Sequence, residues 1–393
     1  MQYKQQQIIY LDYNSTTPVD PRVLETMLPW FTEKFGNAAS RSHAYGWEAE
    51  EAVTIAREQL AKLIGSVKEE IVFTSGATES INLAIKGVAE AYVSKGNHII
   101  TCVTEHKAVL DTCAALEKKG ITVTYLPVNG IGMIDLNELQ KAITPSTILI
   151  ALMYANNETG VIHPVKQIGA IVKEKKVLFF CDATQASGKI PVDVLKDDID
   201  LMAFSSHKIY GPKGVGALYV RRKNPRVTIK AQLDGGGHER NMRSGTLNVP
   251  GIVGFGKAAE FAWLEMEKRQ ENLQLLRDKL EHELLQLEDV KITGNSGHRL
   301  PSTSNLCFGG LNGTNLLAAI SKKIAVSSGS ACTSASTDPS HVLKAMGLSD
   351  EEARNSIRFS LGILTTEQEI ESTIKEVSEI VQFFRKEAKS ISG

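Results

Sequence analysis

The chain has 393 residues, of which 42% are hydrophobic, enough for a large core and for two domains. The formal net charge of −1 excludes a basic field for nucleic acid or a membrane surface. We expect no signal peptide in the glutamine-rich first ten residues, and no apolar run is long enough to cross a bilayer. Five scattered cysteines without a C-x-x-C pair disfavour disulfides and a zinc cluster and indicate a reducing, cytoplasmic location with at least one reactive thiol.

Short apolar runs alternate with helical patterns over the first 220 residues. Helix patterns at about 79–95 and 107–119 follow apolar runs and stop at glycines. The predicted strands are 71–74, 98–103, 121–128, 146–154, 177–183 and 199–204, with a further strand-like run ending at Val220. Fully apolar strands separated by helices predict an α/β fold, in which helices cover both faces of a mostly parallel sheet.

The pattern changes near residue 251. From about 255 to 285, apolar residues recur at helical spacing, which predicts one long amphipathic helix bridging to a second domain. That domain would contain strands at 304–308 and 356–360, a loop at 327–336 and a last helix from 366 to about 386. We therefore expect a large domain of residues 15–258 and a smaller α+β domain of residues 1–14 and 259–393.

Polar residues follow the predicted strands at their carboxyl ends, which is where parallel sheets bind ligands. They are residues 74–78, Glu105, His106, Asn156, Asn157, Asp182 and Lys208. We expect these residues to form one common site.

Lys208 is the central residue of this predicted site. It follows a strand, two serines and a histidine and precedes a Tyr-Gly-Pro turn, so its amine could be aimed and partly desolvated as a nucleophile toward a carbonyl. A solvated turn lysine is the alternative. Asp182 could pair with a protonated pyridine nitrogen, as in pyridoxal phosphate enzymes, or cap a helix. His106 could stack on a ring or shuttle protons, or merely start a helix. Residues 75–78 open a helix and could bind an anion.

Specific motifs extend this interpretation over nearly the whole chain, from Tyr10 to Gly362. They occupy residues 35–43, 75–80, 104–107, 156–160, 182–185, 207–214, 235–240, 243–246 and 327–336. With these motifs the chain resembles the cysteine desulfurases of the group that includes the bacterial housekeeping enzyme of iron–sulfur cluster assembly and the nitrogen-fixation enzyme. The resemblance implies the type I fold of pyridoxal phosphate-dependent transferases and a homodimer.

The resemblance also implies a role for individual residues. Lys208 is expected to link covalently to the cofactor, and contacts with its ring are expected from Asp182 (nitrogen), Gln185 (hydroxyl) and His106 (stacking). Asn157 is expected to contact the cofactor as well. The residues expected to bind the phosphate are Ala77, Thr78, Ser205 and His207, together with Thr246 of the other subunit. Asn157 and Arg358 are expected to receive the substrate carboxylate, to which the fork of arginine is suited.

Cys332 is the expected sulfur acceptor. The resemblance implies that L-cysteine displaces Lys208 from the cofactor, that the freed amine removes the α-proton, and that the Cys332 thiolate attacks the substrate sulfur. A persulfide then remains on Cys332 and alanine leaves. The small residues of segment 327–336 suit a mobile loop. The other cysteines lie in apolar patterns typical of buried side chains.

The same fold also occurs in proteins of other functions, which gives two alternatives to a cysteine desulfurase. An aminotransferase or selenocysteine lyase is one alternative, but a transaminase has no use for Cys332 in such a loop. A non-enzymatic scaffold or regulatory subunit is another, but it predicts loss of Lys208, Asp182 or Cys332, and all three are present. Ser15 and Ser206 stand where the family usually has alanine and often has glycine, small changes that leave the chemistry intact.

The resemblance also implies acceptor proteins: a cluster scaffold or a tRNA thiolation protein. Housekeeping relatives usually continue into a tail that helps to dock the scaffold, whereas this sequence stops at Gly393. From this we expect weaker binding of a housekeeping-type scaffold, with unchanged turnover in a small-molecule reductant.

Overall fold

Helices and strands alternate along the chain, which this computed structural model describes over residues 8–328 and 338–392. None of the described helices is both long and apolar enough to traverse a membrane. The helices are α1 (Pro21–Met27), α2 (Pro29–Thr32), α3 (Ala44–Ile64), α4 (Ala77–Ala91), α5 (Lys107–Glu117), α6 (Leu136–Ala142), α7 (Val165–Lys175), α8 (His238–Asn241), α9 (Val249–Leu284), α10 (Gly313–Ile320), α11 (His341–Ala345), α12 (Asp350–Arg354) and α13 (Glu367–Ser392), with 3-10 turns at Lys68–Glu70 and Ser206–Lys208.

Strands in the described ranges form a large, a small and a two-stranded sheet. They are β1 (Ile9–Tyr10), β2 (Ile71–Thr74), β3 (His98–Cys102), β4 (Thr122–Leu126), β5 (Thr147–Met153), β6 (Leu178–Asp182), β7 (Leu201–Ser205), β8 (Gly216–Val220), β9 (Val290–Ile292), β10 (Thr303–Phe308), β11 (Ile324–Ala325), β12 (Ser327–Ser328) and β13 (Ser356–Ser360). The predicted strands agree with these to within one or two residues at each end.

The large sheet has the strand order β2-β8-β7-β6-β5-β3-β4 over the described residues. Strands β3 to β7 are parallel, and β8 runs antiparallel between β7 and β2. Because β2 is antiparallel to β8, it points the same way as β3 to β7, so six carboxyl ends share one edge. The prediction of a mostly parallel sheet is confirmed, and that edge positions the site described below.

Helices bury both faces of this sheet. Successive strand residues point to opposite faces, so Phe179 packs with one hydrophobic core and Phe180 with the other. The first core includes residues of α3, α7 and α9, and the second includes residues of α4 and α5. Burial on both faces explains why every residue of β5, β6 and β7 is buried and why these strands are apolar in sequence.

Helix α9 links the large sheet to the small one. It is predicted to start at about residue 255, but it begins at Val249, because the Asn248 side chain caps it and Pro250 suits a first turn. The helix passes residue 258 without a break, so the division at 258/259 stays a prediction. Beyond it, the small antiparallel sheet β12-β13-β10-β9 packs with α10 and α13 around its own core.

The N-terminal segment joins the small sheet region. Strand β1 pairs with β11, and Asp12 bridges to Ser360 at the end of β13. Residues just after this bridge therefore cross from the small sheet toward the carboxyl edge of the large sheet.

Candidate active site

A pocket of about 520 Å³ lies at the carboxyl edge of the large sheet. Its wall includes residues that end or follow β2, β3, β5, β6 and β7, because the carboxyl ends of these strands meet there. Nine of the predicted site residues line it: Ala77, Thr78, His106, Asn157, Asp182, Gln185, Ser205, His207 and Lys208.

The Lys208 amine is held in this pocket by the N-terminal segment. Lys208 ends the 3-10 turn after β7, and its Nζ donates to the carbonyl oxygens of Asn14 at 2.5 Å and Ser15 at 2.7 Å. Tyr210 follows in a left-handed conformation (φ 69°), which is held by a bond from its N–H to Thr17 Oγ1. Hydrogen bonds thus fix the turn at Lys208 and at Tyr210. The Lys208 amine has a defined orientation in the pocket, as the sequence predicts.

Asp182 is the last residue of β6 and is only 6% exposed. Its Oδ1 accepts the backbone N–H of Thr184 at 3.0 Å and the Thr184 hydroxyl at 2.5 Å. Among the described residues, no hydrogen bond reaches Oδ2. One oxygen therefore fixes the turn after β6, while the other leaves a buried negative charge that a cationic ring nitrogen would satisfy.

His106 caps the start of helix α5. Its Nδ1 accepts the backbone N–H of Ala108 at 3.1 Å, which orients the imidazole ring in the pocket wall. Burial lowers the pKa of His106 below its usual value. The nearby Asp182 carboxylate opposes this shift, and the charge of Lys208 adds to it. The ring is consequently neutral at neutral pH, and it offers an uncharged aromatic surface.

One end of the pocket is built to receive an anion. Helix α4 begins at Ala77 after Gly76, which supplies no side-chain cap, so backbone N–H groups of the first turn remain for a ligand. Ser205 and His207 face the same pocket, with Lys213 beside them. Burial, and then the charges of Lys208, Lys213 and Lys189, lower the pKa of His207 to about 4. The cations Lys208 and Lys213 in the pocket wall would favour a bound phosphate.

Arg358 lies behind the pocket wall and is 2% exposed. Its Nη1 donates to the carbonyl oxygen of Asn157 at 2.9 Å, and its Nη2 donates to Asp12 Oδ1 at 2.6 Å and Ser15 Oγ at 2.9 Å. The guanidinium is therefore close to the pocket but does not line it, so its predicted bidentate contact with a substrate would require rearrangement of these bonds.

Among the described residues, Thr74, Glu105, Asn156 and Thr246 were also predicted at this site, but they do not line the pocket. Thr246 is not part of the wall formed by its own chain. Cys332 lies outside the described residues.

Asn14 is a site residue that the sequence analysis missed. It is 1% exposed, its carbonyl oxygen accepts both Lys208 Nζ and Gln185 Nε2, and its Nδ2 donates to Thr303 Oγ1 at 3.0 Å and to the Asn157 carbonyl at 3.2 Å. Its only signal in the sequence was its place next to Ser15, within the range that the resemblance covers, because all these partners are distant in sequence.

The pocket fits pyridoxal 5'-phosphate. An amine for the aldehyde, a buried carboxylate oxygen for the ring nitrogen, a neutral aromatic ring and an anion-binding helix start all face one volume. This donor set defines the class of site independently of the resemblance.

Comparisons with known proteins agree with this class. The family model described as aminotransferase class-V matches residues 9–372. Cysteine desulfurase IscS from Anaeromyxobacter sp. (strain Fw109-5) is 57% identical over 378 residues, 96% of this chain and 93% of the relative. A solved NifS-like protein has a TM-score of 0.89 at 41% identity, covering 96% of this chain and all (100%) of that one. SspA in complex with cysteine has a TM-score of 0.78 at 38% identity, covering 90% and 98%.

The chain therefore belongs to the class-V aminotransferase family, whose type I fold and pyridoxal 5'-phosphate cofactor it shares. Within that family it groups with the cysteine desulfurases. The predicted fold, enzyme class and cofactor are confirmed.

Proposed function

We propose that this chain removes sulfur from L-cysteine, releases L-alanine and passes the sulfur through a persulfide on Cys332 to acceptor proteins. The observation that carries the proposal is the convergence of the Lys208 amine, the Asp182 carboxylate and the start of helix α4 on one pocket. The SspA structure holds cysteine on a similar fold, which supports L-cysteine as the substrate.

The cofactor is held by residues from the carboxyl edge of the large sheet. When bound, pyridoxal 5'-phosphate withdraws electrons from the α-carbon of the substrate. Lys208 would bind its aldehyde, Asp182 would pair with its ring nitrogen, and the His106 ring would stack on it. Gln185 would approach the ring hydroxyl, and Asn157 would also contact the cofactor. Ala77, Thr78, Ser205 and His207 would bind the phosphate.

The same residues handle the substrate. Asn157 and Arg358 receive the carboxylate of L-cysteine and orient its α-carbon. The amine of Lys208, once released from the cofactor, takes the α-proton and returns a proton to the substrate. Its bonds to the Asn14 and Ser15 carbonyls give that amine a fixed place on the pocket wall.

Cys332 supplies the nucleophilic thiolate. It attacks the substrate sulfur, so an S–S bond forms as the C–S bond breaks, and the carbon left behind gains a proton to become alanine. An external thiol or an acceptor protein then removes the sulfur from the persulfide. The described cysteines are poor candidates: burial raises the pKa of Cys102 and Cys113 to about 12 and also raises those of Cys181 and Cys307.

Replacement of Cys332 tests this assignment. We expect Cys332→Ala to bind the cofactor and L-cysteine as the wild type does, because none of the cofactor or substrate-carboxylate contacts proposed above involves Cys332. Alanine formation should fall at least about 100-fold, since the sulfur has lost its acceptor. Mass spectrometry of the cysteine-treated wild type should locate the extra sulfur on Cys332. Cys307→Ala is the matched control, and extra sulfur on any other cysteine would refute the assignment.

We further propose a cytoplasmic homodimer in which Thr246 completes the phosphate site of the partner copy. Three apolar side chains of the segment before and within α3, Phe35, Tyr45 and Trp47, are exposed in the single chain. The described cysteines are free, as in a reducing compartment. The acceptors would be an iron–sulfur cluster scaffold or a tRNA thiolation protein.

Mixed dimers test the sharing of Thr246. Lys208→Ala and Thr246→Ala copies are each impaired alone, but a mixed dimer contains one site with both residues intact. Activity should therefore recover when the two variants are denatured and refolded together. Light scattering gives the mass independently, and a monomer or the absence of recovery would exclude the shared site.

A further inference from the structure

Lys189 lies behind the pocket, four residues after Gln185 in the loop that follows β6. Its Nζ donates to Oε1 of Gln185 at 2.6 Å and to Oδ1 of Asn14 at 3.0 Å. It does not line the pocket and has no role in the function proposed above. It does, however, contact two residues that do line the pocket.

These contacts determine the orientation of the Gln185 amide. Gln185 Nε2 donates to the carbonyl oxygen of Asn14 at 2.9 Å, and a carbonyl can only accept, so the NH₂ group must be on that side. The opposite side, Oε1, then faces the Lys189 donor. The same Asn14 carbonyl receives Lys208 Nζ, which places the Gln185 NH₂ group next to the amine that binds the cofactor.

We propose that Lys189 is a positioning residue for the cofactor: by holding Oε1, it keeps the Gln185 NH₂ group as a hydrogen-bond donor toward the ring hydroxyl oxygen. This rests on the proposed function, because it requires Gln185 beside that hydroxyl. A donor there stabilises the deprotonated ring oxygen, whereas a rotated amide would present Oε1 and repel it. Loss of Lys189 removes one of the two contacts that oppose the rotation, and only the Asn14 carbonyl remains.

The charge of Lys189 is not needed for this role. Burial, and then the cations Lys208 and Arg358, lower the pKa of Lys189 well below its usual value. A neutral amine still has two N–H donors, one for Gln185 and one for Asn14. The pocket also contains the titratable groups His106, Asp182, His207, Glu79 and Lys213, and of these His207 has its pKa lowered in part by Lys189.

The test compares Lys189→Met, which removes the donors, with Lys189→Arg, which keeps them. Two quantities are measured: the dissociation constant of pyridoxal 5'-phosphate by equilibrium dialysis, and the pH midpoint of the visible absorption band. In Lys189→Met we expect about tenfold weaker binding and a midpoint raised by about half to one pH unit, because the ring oxygen has lost a donor. Lys189→Arg should restore much of both, and the exposed Lys196→Met should match the wild type.

The outcomes separate this proposal from the proposed function. A wild type that binds no cofactor and shows no visible band would refute the function itself. A normal wild type with an unchanged midpoint in Lys189→Met would refute the positioning role, even if the variant were less stable. If Lys189→Met does not fold, Lys189→Ala, which also lacks the donors, is titrated in its place, and the same midpoint decides.

Discussion

The pocket has two unlike walls. The first wall is the carboxyl edge of the large sheet, where Lys208, Asp182 and His106 each end or follow a strand. The second wall is formed by Asn14, Ser15 and Thr16 with the small sheet behind them, where Ser15 Oγ accepts a hydrogen bond from Arg358 of β13. The first wall contains the groups that react or bind the cofactor. The second wall contains mostly groups that hold those of the first wall in place by hydrogen bonds.

The difference lies in how each wall is assembled. Groups of the first wall are placed by the large sheet itself, because its parallel strands bring their carboxyl ends together. Asn14 instead bonds to Thr303 and Ser360, about three hundred residues away. We infer that the first wall sets the chemistry and that the second joins this chemistry to the small sheet region. Substitutions on the two walls should therefore differ in kind.

The largest expected effect is on the first wall. Lys208→Ala should abolish the visible absorption of the cofactor and lower turnover at least about 1000-fold, because the chain loses both its covalent link and its proton carrier. Its melting temperature without cofactor should change little. Substitution of the exposed Lys196 by alanine serves as the control. An unchanged visible band in Lys208→Ala would refute the assignment of Lys208 as the covalent link to the cofactor.

The first wall was largely predictable from the sequence. Fully buried strands such as β5 appear in the sequence as continuous apolar runs, and the polar residues that follow them indicate one edge of a sheet. For His106, both of the open interpretations have support, because it caps α5 while its ring lines the pocket. For Asp182, the helix-cap alternative is wrong: no helix begins between β6 and β7, where every residue is described, and Oδ1 fixes a turn while Oδ2 remains for a ligand.

The second wall was not predictable, for a physical reason. The contacts of Asn14 and Lys189 depend on how the N-terminal segment crosses between the two sheets, and no local pattern encodes that path. The start of α9 was also missed, since its first turn depends on the Asn248 cap rather than on apolar periodicity.

A smaller effect is expected on the second wall. Asn14→Ala removes side-chain bonds to Thr303, Asn157 and Lys189, so the free energy of unfolding should fall by about 3 kcal/mol. The matched control is Ser15→Ala, which loses one side-chain bond to Arg358 and should cost about 1 kcal/mol. Urea unfolding of the cofactor-free proteins measures both, and equal losses would contradict a special role for Asn14.

The smallest expected effect depends on pH and concerns Glu158, a buried neighbour of Asn157. Burial raises the pKa of this carboxyl to about 7, although the Ser340 hydroxyl and Arg358 oppose the shift. Below pH 4.5 the group is protonated in both the folded and the unfolded chain. Between pH 4.5 and 7 the unfolded chain releases the proton while the folded chain retains it, so stability decreases as the pH rises.

Replacement of Glu158 should remove this dependence. Glu158→Gln cannot ionise, and its amide oxygen can still accept from Ser340. From pH 5 to pH 7, the free energy of unfolding of the variant should therefore rise relative to the wild type by about 2 kcal/mol. The exposed Glu174→Gln should show no such relative change. If Glu158→Gln and the wild type lose stability in parallel over this range, the carboxyl is already ionised in the folded protein, and Glu158 is a buried charge close to Arg358.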